Sequence, residues 1–89
     1  MKVNFNQSFK DYKGEETNQV IKDTVCQCLY SCADGYSAEE KFRAYKLNLL
    51  IIPSTGEVEL SPEDAALIKR ICERSLTAGG YGQIAELIG

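Results

Sequence analysis

The sequence contains no histidine among its 89 residues. Histidine is the general base of Ser-His and Cys-His nucleophile pairs, and it is the commonest metal ligand in proteins. Its absence excludes these catalytic pairs in their usual form and removes the most frequent metal ligand. The sequence therefore predicts a protein that is not an enzyme, has no small-molecule substrate and uses no cofactor.

Long apolar segments are also missing. The longest run, residues 47–52, contains an asparagine and is far shorter than the roughly 20 residues that span a bilayer. The first six residues have neither the apolar region nor the small-residue cleavage site of a signal peptide. We therefore expect no membrane partner and a cytoplasmic location.

The composition fits one globular domain over residues 1–89. Apolar residues make up 44% of the chain and charged residues 26%, as in ordinary folded proteins. The formal net charge is −3, whereas a dedicated nucleic-acid binder needs a basic surface to neutralise phosphates. Nucleic acid is therefore not the expected main partner.

The four cysteines do not match a metal or redox motif. Cys26, Cys28 and Cys32 lie in one predicted helix, where only Cys28 and Cys32 share a face, and Cys72 is distant. Structural zinc sites draw paired ligands from C-x2-C turns, and that spacing is absent. We expect reduced thiols that pack as small hydrophobic side chains and bind no metal.

The first half of the chain predicts a strand, a turn and a helix. Residues 3–6 alternate as in a strand, residues 9–12 are its expected hairpin partner, and Lys13 and Gly14 form a turn. Apolar residues at helical spacing predict a first helix over residues 18–32, capped by Thr17. Gly35 suits the left-handed position that closes this helix.

A capping box of Ser37 and Glu40 predicts the start of a second helix, which runs to about residue 50. The expected inner face of this helix carries four apolar residues: Phe42, Tyr45, Leu49 and Ile52. Pro53 ends the helix, and residues 50–52 are expected to be extended because a residue before proline disfavours the helical region.

The second half of the chain predicts one strand and two helices. Residues 57–60 alternate as in a strand, with the N-terminal strand as expected partner. Ser61 and Pro62 mark the start of a third helix, Pro62–Ser75, and a short last helix covers residues 82–87. The fold class is therefore α+β, mainly α, with about four helices and a small antiparallel sheet of two or three strands.

Tyrosines and basic side chains are the candidate interaction residues. Tyrosine combines an apolar ring with a polar hydroxyl and is common at protein interfaces. The candidate tyrosines are Tyr30, Tyr36, Tyr45 and Tyr81, and in a small protein some of them complete the core instead. The candidate basic face lies on the third helix and consists of Lys69, Arg70 and Arg74.

Five segments of the sequence follow a pattern that extends over nearly the whole chain. They are a Phe-Lys-Asp-x-x-Gly turn at residues 9–14, Glu-Lys-x-x-x-Tyr-Lys-Leu at 40–47, Val-Glu-Leu-Ser at 58–61, Glu-Asp-x-x-Leu-Ile-Lys at 63–69, and Tyr-Gly-Gln-x-x-Glu-Leu-Ile at 81–88. The pattern resembles small proteins encoded by bacteriophages and prophages. The cysteine-containing segment 26–32 lies outside the pattern.

The resemblance implies an interaction protein in virion assembly, virion structure or host modulation. Such a protein acts by self-association, as a homo-oligomer, or by binding a protein partner, in the bacterial cytoplasm or within a virion. The alternative is a minor nucleic-acid-associated regulator that uses the basic face of the third helix. Both hypotheses remain open at the level of the sequence.

Overall fold

The computed structural model describes all 89 residues and contains four strands and four helices. In chain order these are β1 (Lys2–Asn4), β2 (Ser8–Lys10), β3 (Glu16–Val20), α1 (Ile21–Ser31), α2 (Ala38–Ile51), β4 (Glu57–Glu59), α3 (Pro62–Ser75) and α4 (Ala78–Ile88). Helices dominate, and the strands form two small antiparallel sheets of two strands each. The predicted α+β, mainly α class is confirmed.

The first sheet joins the N-terminus to the middle of the chain. β1 pairs antiparallel with β4, with Val3 opposite Val58, and both of these side chains are buried. The N-terminal amine donates hydrogen bonds to the Glu59 carboxylate and the Leu60 carbonyl oxygen, each at 2.8 Å. The predicted pairing is confirmed, although β1 covers residues 2–4 rather than 3–6.

The second sheet is a hairpin that differs from the prediction. β2 pairs antiparallel with β3, which follows it in the chain, and not with β1. Gly14 has φ +84° in the connecting turn, and its N–H donates to the Asp11 carbonyl oxygen at 2.9 Å. The prediction of a turn here was right, but the strand after it was missed.

This strand shortens the first helix. The sequence predicts a helix from residue 18 with Thr17 as its cap, but Thr17 lies in β3 and its hydroxyl donates to the Phe9 carbonyl oxygen at 2.9 Å. α1 begins only at Ile21, and the residue before it, the N-cap residue Val20, supplies no side-chain hydrogen bond to the helix. The predicted helix start was wrong because pairing with β2 satisfies the backbone of residues 16–20 in an extended form.

α2 runs one residue further than predicted and does not become extended before Pro53. Ile52 keeps helical dihedral angles, and its N–H donates to the Asn48 carbonyl oxygen at 3.0 Å. The Ser54 hydroxyl then donates to the Ile51 carbonyl oxygen at 2.6 Å. These bonds occupy carbonyl groups that the helix end would otherwise leave free.

α3 matches its predicted bounds, whereas α4 starts four residues earlier than predicted. Thr77 caps α4 by accepting a hydrogen bond from the Gly80 N–H at 3.3 Å, so Gly79 and Gly80 form its first turn. We predicted a break at these glycines because glycine is a poor helix former. A capped first turn that packs against α3 overrides that weak preference.

One apolar cluster of 19 buried residues unites the helices and both sheets. No polar or charged residue is buried in it. Its fully buried large members include Phe5, Leu29, Ile51, Ile68 and Ile84, from five different parts of the chain. α2 packs most extensively against α1 and also contacts α3.

Candidate protein-interaction surface

The N-terminus of α2 is fixed by reciprocal hydrogen bonds. The Ser37 hydroxyl accepts from the Glu40 N–H at 3.1 Å, and the Glu40 carboxylate accepts from the Ser37 N–H at 2.9 Å. The same carboxylate forms an ion pair with Arg70 of α3. The Ser37 amide and the Arg70 guanidinium lower the pKa of the Glu40 carboxyl below its usual value. The predicted capping box is confirmed and also anchors α2 to α3.

The inward side of α2 consists of Ala44, Leu47 and Ile51, which are at most 5% exposed. The opposite side also carries large apolar side chains, and these are left uncovered. They are Phe42 (62% exposed), Tyr45 (45%), Leu49 (49%) and Ile52 (41%), and we call them the α2 outer face. Leu50 (51%) is also exposed, but it lies about 160° of helical rotation from Ile52, on the flank that borders α3.

The predicted orientation of α2 was therefore wrong. We expected Phe42, Tyr45, Leu49 and Ile52 to face the core, but all four are exposed. Two apolar stripes at helical spacing lie on opposite sides of this helix, so periodicity cannot choose between them. The stripe of Ala44, Leu47 and Ile51 packs inward and joins the core.

Aromatic rings and one cation form the N-terminal half of the α2 outer face. The ring centroids of Phe42 and Tyr45 lie 6.3 Å apart, with the planes tilted by 31°. The Lys46 ammonium lies 5.8 Å from the Phe42 ring centroid. Offset aromatic rings beside a basic side chain are a composition typical of protein-interaction surfaces.

A shallow depression of about 280 Å³ borders this face where α2 meets α3. Phe42, Lys46 and Leu50 form one wall. The other wall contains the ion pair between Arg43 and Asp64, whose nitrogen and oxygen are 2.5 Å apart. The depression extends the exposed apolar surface into a concave site.

The four candidate tyrosines do not form a common surface. Tyr45 belongs to the α2 outer face, and Tyr30 is 72% exposed on α1. Tyr36 lies in the loop between α1 and α2, and Tyr81 is half-buried against the core from α4. No two of these rings stack on each other.

The candidate basic residues of α3 are largely engaged within the chain. The guanidinium carbons of Arg70 and Arg74 lie 5.3 Å and 5.1 Å from the Tyr36 ring centroid, so the ring packs between two cations. Arg70 also pairs with Glu40, and Lys69 is half-buried. These contacts fix the loop before α2 on α3 and leave less charge for a phosphate backbone.

The same loop contains Gly35, which has a positive φ but does not close α1 as predicted, because that helix already ends at Cys32 in an extended conformation. Gly35 has φ +87°, which side-chain-bearing residues rarely adopt. A Cβ atom at this position would lie 2.5 Å from the Arg74 Nη1 atom. Glycine is therefore favoured by the positive φ of the turn, whereas a Cβ atom would only displace the flexible end of Arg74.

The cysteines are free thiols, and two of them interact across helices. A hydrogen bond between Cys28 of α1 and Cys72 of α3 lowers the pKa of Cys28 to about 7, against the opposing effect of burial. The same contact, together with burial, raises the pKa of Cys72. Burial raises the pKa of Cys26 to about 11. No group of three metal-ligating side chains is brought together anywhere in the chain.

A second concave site lies between the β2–β3 hairpin and the start of α4. It has a volume of about 450 Å³ and includes Phe9, Thr17, Leu76 and Thr77 in its lining. Gln83 of α4 closes one side by exchanging two hydrogen bonds with the Lys10 backbone, at 2.8 and 3.0 Å. The lining of this site also includes Gly79 and Gly80 of the first turn of α4.

None of the four helices is long and apolar enough to cross a membrane. The chain matches no protein-family model, no curated protein and no solved structure. The surface geometry therefore carries the functional argument, and the α2 outer face is its most distinctive feature.

Proposed function

We propose that this chain is a non-enzymatic, phage- or prophage-derived interaction protein that binds a protein partner or a second copy of itself through the α2 outer face. It acts in virion assembly, virion structure or host modulation, in the bacterial cytoplasm or within a virion. The observation that carries the proposal is the row of large apolar side chains left exposed along one side of α2.

The size of this surface supports an interaction role. Its four side chains expose apolar surface on the order of 400 Å², which is comparable with the largest patch on a typical monomer, about 300–600 Å². Such patches are often functional, whereas scattered single apolar residues need no explanation. The α2 outer face is a continuous row, and it includes two aromatic residues of the kind that anchor interfaces.

The alternative role in nucleic-acid binding has less support from the geometry. It needs Lys69, Arg70 and Arg74 free to contact phosphates, but both arginines already contact Tyr36. The net charge of −3 adds a general repulsion toward nucleic acid.

Site-specific photo-crosslinking in bacterial cells tests the proposal. A photoreactive p-benzoylphenylalanine replaces Phe42 in one variant and Gln27, an exposed polar residue of α1, in a matched control. We expect an adduct of discrete mass from position 42, absent from position 27 and lost when Leu49→Asp is added. No adduct from position 42, or the same adducts from both positions, would contradict the proposal.

A further inference from the structure

The exposed side chains of α2 follow the spacing of a coiled-coil seam. Ala38, Phe42, Tyr45, Leu49 and Ile52 are all exposed, and they alternate in steps of four and three residues. This is the spacing of the a and d positions in a heptad repeat, which form the contact between paired helices. The residues on the opposite side of α2 already pack in the protein's own core.

α2 is already ordered before it meets a partner. The helix has 14 residues and is therefore about 21 Å long, which gives two heptads. A free peptide of that length is only marginally helical because helix nucleation is unfavourable. α2 is capped by Ser37 and packed against α1 and α3, so pairing requires no further ordering of its backbone.

Three charged residues flank the seam and have no ion-pair partner within the chain. Glu39, Lys41 and Lys46 are exposed, and none takes part in the three ion pairs of the structure. In the heptad numbering Phe42 and Leu49 are a positions, and Ala38, Tyr45 and Ile52 are d positions. Glu39 and Lys46 then occupy e positions, and Lys41 occupies a g position. Charges at e and g set the orientation of paired helices.

These charges disfavour a parallel pair. In a parallel coiled coil, a g residue faces the e residue five positions further along the other helix. Lys41 would then face Lys46 of the second copy on both sides of the seam, and like charges in contact are destabilising.

An antiparallel pair has complementary charges. When Phe42 lies opposite Tyr45 of the second copy, e positions face each other, and Glu39 meets Lys46 of the second copy. Two-fold symmetry repeats this ion pair, and Lys41 faces the uncharged Asn48. This register also overlaps the two helices over most of their length. A shift of one heptad would instead place Lys46 against Lys46.

We infer that α2 pairs with α2 of a second copy in an antiparallel, two-fold symmetric dimer, with Glu39 opposite Lys46 across the seam. The inference rests on the proposed function, of which it names the partner. Each copy contributes on the order of 400 Å², so the total of about 800 Å² is below the roughly 1,200–2,000 Å² of standard interfaces. The dimer is therefore weak and reversible, with a dissociation constant in the micromolar to millimolar range.

Sedimentation equilibrium of the full chain at low salt, from about 10 μM to about 1 mM, tests the dimer. We expect Glu39→Lys and Lys46→Glu each to raise the dissociation constant roughly tenfold, because each creates two like-charge contacts. The double variant restores the ion pairs in reverse and returns the constant to near the wild-type value. Gln27→Lys, an exposed change on α1, is the matched control and leaves dimerisation unchanged. About 0.5 M salt reduces the differences among these variants.

The other outcomes overturn the inference in distinguishable ways. Tighter association of Lys46→Glu indicates a parallel pair. A dimer whose dissociation constant changes with neither Glu39→Lys nor Lys46→Glu indicates the shifted register, in which Lys46→Glu only exchanges one like-charge contact for another. A monomer at about 1 mM rules out the dimer. In that case, a crosslink from position 42 to a different protein preserves the proposed function, whereas the absence of any crosslink removes both.

Discussion

α2 and α3 are helices of the same length that begin alike but pack differently. Each has 14 residues, a serine cap that accepts the backbone N–H three residues later at 3.1 Å, and two acidic residues in its first turn. α3 buries five apolar residues and exposes no large one. α2 buries three and exposes a second apolar row on its other side.

The difference shows what each helix contributes. α3 has one apolar face, so its position in the core is fixed by periodicity alone, and it meets α1, α2 and α4. α2 has more apolar surface than its own core can cover. An excess of this kind is the physical basis of a docking surface, because contact with another chain removes from water what folding leaves exposed.

The largest expected effect concerns how completely the inner face of α3, which carries Cys72, is shielded from solvent. Cys72 is fully buried with a raised pKa, whereas Cys28 is half-buried with a pKa of about 7. We expect iodoacetamide to modify Cys28 at least about 10³-fold faster than Cys72, because Cys72 reacts only from opened molecules. The Cys28 rate rises with pH through half its maximum near pH 7, as the thiolate forms. Mass spectrometry of peptides after timed alkylation measures both rates, and equal rates would show that the inner face of α3 opens readily.

Two neighbouring isoleucines test the two sides of α2. Ile51 is fully buried and Ile52 is 41% exposed. We expect Ile51→Ala to lower the free energy of unfolding by about 2–5 kcal/mol, through lost burial and a cavity. Ile52→Ala costs less than about 1 kcal/mol because its side chain is already partly in water. Urea denaturation at a concentration where the protein is monomeric measures both values. Similar losses would contradict the assignment of Ile51 to the buried side of α2 and of Ile52 to the exposed side.

The two serine caps are expected to differ by a smaller amount. Ser61→Ala removes one cap hydrogen bond from α3 and costs about 1 kcal/mol. Ser37→Ala removes the corresponding bond from α2 but keeps the Ser37 backbone N–H, which still donates to the Glu40 carboxylate beside Arg70, so we expect the smaller loss here. Thermal unfolding followed by circular dichroism compares the two variants, with Ser31→Ala as a control at an exposed position. A larger loss for Ser37→Ala would mean that the backbone bond to Glu40 does not hold the start of α2 without the serine hydroxyl.

The smallest expected effect is a pH dependence confined to the α2 start. The pKa of Glu40 is lower in the folded protein than its ordinary value of 4.5, so the unfolded chain takes up the proton first as pH falls. The stabilisation is present above pH 4.5 and is lost as pH falls through the folded pKa. We expect Glu40→Gln to reduce the drop in stability over this range, while Glu39→Gln, on a residue without an ion pair, changes it less. An unchanged pH profile in Glu40→Gln would show that the contact to Arg70 adds no stability.

Local signals in the sequence were sufficient to predict where several elements begin. The capping box at Ser37 and the Ser-Pro start of α3 are short-range patterns, and the structure contains both. Gly14 and Gly35 adopt positive φ in the predicted turns for the same reason. The candidate site was predicted only in part, since Tyr45 lies on the α2 outer face while Tyr36 and Tyr81 pack within the chain.

The sequence by itself determined where α2 and α3 begin and where the turns lie, because caps and glycine dihedral angles act over a few residues. Tertiary structure decided that residues 16–20 pair with β2 instead of starting a helix, because a strand needs a partner. It also decided which apolar side of α2 faces inward. Both sides satisfy helical periodicity equally well, and only the fit against α1 and the rest of the core separates the buried side from the exposed side.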